Sequence, residues 1–159
     1  MKIKILEMPN TYSQLYIQIV FAVKGRRNFI KESFRIELQK YMSGIINVKK
    51  QKLYAIYCMP DHTHILASLK PDLSISDLAG TIKSNSSSFI KEKNFAKNFA
   101  WQEGFGAFSY SKSQSQNVVN YILNQPQHHK KKTFRQEYLE FLEKFEIEYE
   151  DKYLFEFYD

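Results

Sequence analysis

The sequence predicts an α+β domain: a ferredoxin-like (RRM-like) antiparallel sheet in the order β-α-β-β-α-β, followed by C-terminal helices. Three observations carry this. Residues 12–23, YSQLYIQIVFAV, alternate with a period of two, as a strand with one apolar face does. Residues 30–47 and 74–90 repeat apolar side chains at helical spacing. Between them, two short apolar runs flank Pro60-Asp61, a pair that stops one strand before the next begins.

In the first strand Leu15, Ile17, Ile19, Phe21 and Val23 point one way, and KGRRN then turns the chain. The first helix carries Ile30, Phe34, Leu38, Tyr41 and Ile45 on one stripe. The basic connector VKKQK leads to a second strand at 53–59, and a third runs from His62 to Leu69. Ser74 or Ser76 caps the next helix, whose stripe is Ile75, Leu78, Ala79, Ile82, Phe89 and Ile90, with the serines of 84–88 mostly off it. A loop with Trp101 and Gly104 precedes a fourth strand, FGAFSY, where Gly106 marks a bulge or a close backbone approach. Helices follow at about 114–124 and 134–145, and the aromatic end EYEDKYLFEFYD is expected to pack back on the body. No repeat or linker interrupts the 159 residues, so one domain is expected over 1–159. Its parts are a body at about 12–110, a helical segment at 114–129, and an acidic helix and tail at 133–159.

Composition narrows the function classes. Hydrophobic content of 43% excludes wholesale disorder. No apolar run approaches the roughly 18 residues that span a bilayer, so no membrane partner is expected. The opening, MKIKILEMPNTYSQ, lacks the pattern of a signal peptide, and the cytoplasm is the expected location. Cys58 stands alone, which excludes an intrachain disulfide and a cysteine-based zinc cluster. The net charge of +6 hides an asymmetry: residues 137–159 carry nine acidic and two basic side chains, leaving +13 on the rest. A body that basic suits a polyanion, and the acidic tail is either a solvated helix or a shield for the body.

His62 and His64, in MPDHTHILASL, are two of only four histidines. Residues i and i+2 of a strand share a face, so both rings can converge on one ion, while Thr63, Ile65, Ala67 and Leu69 face the framework helices. The pair is then either a metal site on an open sheet face or two structural side chains. No H-E-x-x-H is present, which excludes a zincin. A two-histidine phosphodiesterase needs a second H-x-[S/T] element, which QHHKKK does not supply.

In NVVNYILNQPQHHKKKTF, Tyr121 and Gln125 are four apart and share a helix face. A tyrosine hydroxyl, with a pKa near ~10, is a poor nucleophile at neutral pH unless a cation polarises its target. Gln125 can supply that cation with a third ligand. The same spacing also fits a half-buried core edge through Val118, Tyr121, Ile122 and Gln125. Pro126 disfavours helical geometry at Gln125 and is expected to end or kink the helix there. His128, His129 and Lys130 to Lys132 are cations near a helix end, suited to its dipole or to phosphate.

Together, H-x-H on a middle strand, Y-x-x-x-Q on a later helix and the basic body resemble the single-tyrosine HUH transposases. These are small transposases of bacterial insertion sequences that move as single-stranded DNA. The resemblance runs from TYSQLYIQIVFAVKGR through MPDHTHILASLKP, WQEGFGAFSYS and YILNQPQHHKKKTF to EYLEFLEKFEIEY. It implies that Tyr121 is the catalytic nucleophile and that His62, His64 and Gln125 hold a divalent metal, Mg²⁺ or Mn²⁺. Two imidazoles and an amide suit Mn²⁺ better. It further implies cleavage and rejoining of single-stranded DNA beside a hairpin through a 5′-phosphotyrosine, by a homodimer whose subunits share active sites. Lys24, Arg26, Arg27, His128, His129, Lys130, Lys131 and Lys132 are the expected DNA contacts. Trp101, Phe105 and Phe108 are either base-stacking platforms or core residues. Two other functions fit the same chain. One is a non-catalytic binder of structured single strands, and the other is a nuclease acting through metal-bound water.

Overall fold

A computed structural model describes residues 10–159; the stretch 1–9, with most of the segment read for a signal peptide, lies outside the described residues. The strands are β1 (Tyr16–Ala22), β2 (Lys52–Cys58), β3 (His62–Ser68) and β4 (Gly106–Tyr110). The helices are α1 (Glu32–Val48), α2 (Ile75–Glu92), α3 (Lys112–Leu123), α4 (Gln125–His128) and α5 (Phe134–Lys144). The sheet order is β2-β3-β1-β4, with every neighbouring pair antiparallel. β1 and β3 therefore lie in the middle, as the ferredoxin-like order requires.

Register divides the residues between two faces. Ile17, Ile19 and Phe21 pair with Ala67, Ile65 and Thr63 on one face. Against that face packs the α1 stripe of Phe34, Leu38, Met42 and Ile46, spaced four apart and all buried. The α2 stripe, Leu78, Ala79, Ile82 and Ile90, joins them. Each of the larger buried side chains, Phe, Leu, Met and Ile, contributes roughly 1.5–3 kcal/mol of hydrophobic stabilisation. Ser74 caps α2 by accepting the Asp77 N–H at 3.0 Å. One serine of the 84–88 cluster lies on the stripe after all: Ser86 is fully buried, and its Oγ accepts the Trp101 indole N–H at 3.0 Å. That bond is why a hydroxyl is tolerated there.

Trp101 also meets Phe21 and Phe99 edge-on, and Phe108 is buried against Phe141, so neither ring presents a base platform. Phe105 packs half-buried on the same core. The tail folds back as expected. Phe155 is buried against Tyr138, and the Gln102 side chain brackets Glu156 with bonds of 2.7 and 2.9 Å. The tail meets the basic turn through Tyr158, whose hydroxyl accepts the Gly25 N–H at 2.6 Å and whose carbonyl accepts from Arg26. Among the described residues no acidic side chain makes that contact.

Gly106 is a close backbone approach. A Cβ there would lie 2.7 Å from the Tyr138 hydroxyl, 2.9 Å from its ring and 3.1 Å from the Phe108 ring. Tyr138 is buried on α5, packed against Phe134 and Phe155. Gly106→Ala is expected to cost about 1–3 kcal/mol, read from urea unfolding.

Candidate active site

The second sheet face carries Gln18, Val20 and Ala22 beside Leu66, His64 and His62. Both imidazoles point away from α1 and α2, onto the face the alternation assigns them. That face is not open, however: both rings are fully buried beneath the C-terminal helices. Val118 and Ile122 of α3 pack on Leu66, Ala55 and Tyr16. Phe134, the first residue of α5, lies flat on His62, with ring centroids 3.9 Å apart and planes 4° from parallel. Phe141, two turns on, stacks on Phe108. The expected ligand-accessible surface is thus roofed by the chain itself, because a half-apolar sheet face left bare would expose Leu66 and Phe108 to water.

Local sequence sets each part. Ser111 and Gln114 form a capping box that starts α3, and Thr133 with Gln136 does the same for α5. Pro126 ends α3 early, at Leu123, yet does not lose Gln125. The chain resumes as the short α4 with Pro126 in its first turn, where a missing N–H leaves nothing unpaired. Gln125 is fully buried, and its side-chain oxygen lies 3.1 Å from His62 Nε2.

The centre of the site is a residue to which the sequence reading gave no role. Glu137 of α5 is 2% exposed, and its Oε1 lies 3.0 Å from His64 Nε2, 3.2 Å from His129 Nε2 and 3.4 Å from His62 Nε2. Its Oε2 accepts from the Gln125 amide at 3.0 Å and from the Tyr121 hydroxyl. The Tyr121 oxygen also lies 3.1 Å from His128 Nε2. Ligand atoms of His62, His64, His129 and Glu137 all fall within 4.8 Å of one another. His129 and His128, expected as DNA contacts, are therefore part of the site. A signal for both missed roles lies in the spacing. His129 follows Gln125 by four, and Glu137 interrupts the apolar stripe of Phe134, Tyr138 and Phe141.

Outer partners fix the rings. His62 Nδ1 pairs with Asp61 at 2.7 Å, His129 Nδ1 with the Lys132 carbonyl at 2.8 Å, and His64 Nδ1 with the Gln18 amide at 2.9 Å. Gln18 in turn accepts from the Tyr110 hydroxyl at 2.7 Å. Burial alone would depress the His62 imidazole, but the Asp61 and Glu137 carboxylates outweigh it and push it up to about 9. For His64 burial prevails, and its pKa falls. Burial would raise the Glu137 carboxyl, yet the surrounding imidazoles hold it far below the carboxylate range. Burial and then the Glu137 charge raise the Tyr121 phenol well above its ordinary value.

A cavity of about 380 Å³ leads to Tyr121, lined by Gln18, Tyr110, His128, Glu137, Lys132 and Lys144 among others. A second hollow beside it is lined by Asn124, Gln127, His128 and the lysines 130–132. Lys130 and Lys131 are exposed, while Lys132 is half-buried and pairs with Glu140. Lys24, Arg26 and Arg27 are exposed at the His62 end of the sheet, since Val23 bonds the Asp61 carbonyl. Both basic segments thus flank one end of the site. Among the described residues no helix is long and apolar enough to cross a membrane.

Residues 11–125 match the family model for IS200-like transposases. The chain belongs to that family, the single-tyrosine HUH transposases. Two solved structures share its fold. One, from Deinococcus radiodurans R1 and assigned as a transposase, is 20% identical, with a TM-score of 0.58 over 73% of this chain and 94% of that one. The other, a REP-associated tyrosine transposase bound to a REP hairpin, is 19% identical, with a TM-score of 0.58 over 76% of this chain and 72% of that one. No curated protein sequence matches the chain. The family match stops at Gln125, before His129 and Glu137.

Because Glu137 meets five side chains in a buried site, truncating it removes one polar partner from each. Glu137→Ala is expected to lower unfolding free energy by about 3–5 kcal/mol, measured by denaturant titration in EDTA.

Proposed function

We propose that this protein cleaves and rejoins single-stranded DNA with Tyr121 as nucleophile. The observation that carries the reading is the meeting of the Tyr121 hydroxyl with the His62, His64 and Gln125 side chains on one buried carboxylate. His64 and Tyr121 ring centroids are 5.9 Å apart within one chain.

The donors suit a divalent metal: Gln125 Oε1 lies 3.1 Å from His62 Nε2, and the Nε2 atoms of His62 and His64 lie 3.4 and 3.0 Å from Glu137 Oε1. When bound, the ion supplies Lewis-acid polarisation of the scissile phosphate. The chain's own residues do the rest. The Tyr121 hydroxyl donates to Glu137 Oε2, which orients it, and its proton leaves to solvent water as the phenolic oxygen bonds to phosphorus. The P–O3′ bond breaks, the 3′ oxygen takes a proton from water, and the 5′ phosphate stays on tyrosine. A 3′-hydroxyl attacking that linkage reverses the step and returns the proton to Tyr121, so rejoining needs no nucleotide cofactor. The lysines at 130–132 and the turn of Lys24, Arg26 and Arg27 hold the DNA backbone by charge. A hairpin is the DNA feature supported, since a structural relative is bound to one. The cytoplasm, at the nucleoid, is where such a substrate is met.

The sequence resemblance implies a homodimer whose subunits share active sites; within one chain the Tyr121 hydroxyl already meets Glu137, the carboxylate that His62 and His64 face. An equimolar mixture of His64→Ala and Tyr121→Phe is therefore expected to stay inactive; recovered cleavage would show sites assembled between subunits. The full burial of both histidines favours a second reading, a non-catalytic hairpin binder. Incubation with hairpin-bearing single-stranded DNA and Mn²⁺ separates the two. A denaturant-resistant adduct that is absent in Tyr121→Phe supports cleavage. DNA retention unaffected by EDTA, with no adduct under any metal, supports the binder.

A further inference from the structure

His62 directs Nδ1 at the Asp61 carboxylate and His129 directs Nδ1 at the Lys132 carbonyl, so both rings turn Nε2 into the site. There the two Nε2 atoms lie 3.1 and 2.8 Å from the Gln125 oxygen and 3.4 and 3.2 Å from Glu137 Oε1. The Gln125 amide nitrogen is committed to Glu137 Oε2, which leaves its oxygen facing the rings. Ligand atoms of His62, His64, His129 and Glu137 thus gather within 4.8 Å of one another, an arrangement of groups that can hold one dication.

A second observation favours the dication. The cavity that leads to Tyr121 is also lined by Glu137, so a phosphodiester reaching the tyrosine would meet a buried carboxylate. Two anions at that range repel strongly at low dielectric, and a cation between them reverses the sign.

We propose that His129 and Glu137, contributed by the segment beyond the family match, are metal ligands that join His62, His64 and Gln125 in a site selective for Mn²⁺-class ions over Mg²⁺. This rests on the metal-assisted reading above and extends its ligand set. Three imidazoles, an amide oxygen and one carboxylate form a donor set too rich in nitrogen for Mg²⁺, which prefers oxygen and retained water. The outer acceptors Asp61 and Lys132 O orient two of the rings, as second partners of metal-bound histidines do. For His64 the same arrangement follows when the Gln18 amide turns over, so that its oxygen accepts Nδ1–H and the Tyr110 hydroxyl accepts the amide hydrogen.

The test needs no DNA. Mn²⁺ is titrated into the full chain and the free ion is read by electron paramagnetic resonance. Wild type is expected to take up one Mn²⁺ at least about a hundredfold more tightly than Mg²⁺, measured by competition. Glu137→Gln and His129→Ala are each expected to weaken uptake tenfold or more. To separate ligation from any effect of these variants on folding, a second measurement uses wild type alone: Zn²⁺ addition followed by nitrogen-15 NMR of the imidazoles. His62, His64 and His129 Nε2 resonances should shift together, with His128 left in place. Wild-type Mn²⁺ affinity in both variants, a stationary His129 resonance, or equal affinity for Mg²⁺ and Mn²⁺ would overturn the proposal. If uptake in that case still depends on His62 and His64, the metal-assisted reading survives without it. Absence of any uptake by wild type overturns this proposal, while the Tyr121 adduct assay reports separately on cleavage.

Discussion

A single carboxylate, buried under the helical roof, organises the polar half of this molecule. Burying an unpaired Glu137 would cost several kcal/mol, so the fold must bring it hydrogen-bond donors or a cation. It does so from four places at once: β3 supplies His62 and His64, α3 supplies Tyr121, α4 supplies Gln125, and the turn after it supplies His129. The same requirement fixes α5 in rotation, because a slip by one residue would replace the carboxylate with Gln136 or Tyr138. Placement of the roof and assembly of the site are therefore one event, not two.

The two faces of the sheet solve different problems. Under α1 and α2 the contacts are apolar and interdigitated, and the one hydroxyl on the α2 stripe, Ser86, is satisfied by an indole. Under α3 and α5 apolar and polar residues alternate in patches. Val118 and Ile122 cover Leu66, while a few ångströms away the space is filled by imidazole, amide and carboxylate. Polar networks of this sort specify geometry strongly when every member is satisfied and destabilise when one is missing. The apolar face gives the domain its stability; the mixed face confines Tyr121 and the rings to one arrangement.

Most of the scaffold was legible in the sequence, because strand alternation and helical stripes follow directly from burial on one side. β1 is shorter than its pattern at both ends, since Leu15 and Val23 continue the alternation without joining the ladder as strand residues. The Pro126 break was legible too, but not its consequence: a lost N–H costs nothing in the first turn of a new helix, so Gln125 stayed in the site. Glu137 was not legible as a centre. Charge counting placed it in an acidic, solvated tail, and only its position within an apolar stripe set it apart. His129 was hidden by its lysine neighbours, which read as a phosphate-binding run. What the sequence could not convey in either case was which distant partner each would meet.

The tryptophan beneath α2 has a practical corollary. It is the only indole in the chain, and it is held between Phe21 and Phe99 with its N–H tied to Ser86, on the sheet face opposite the histidines. Intrinsic emission excited at the red edge therefore reports dissolution of the scaffold and is insulated from events around the phenol of Tyr121. Occupancy of the histidine side has to be followed with a probe placed there by design.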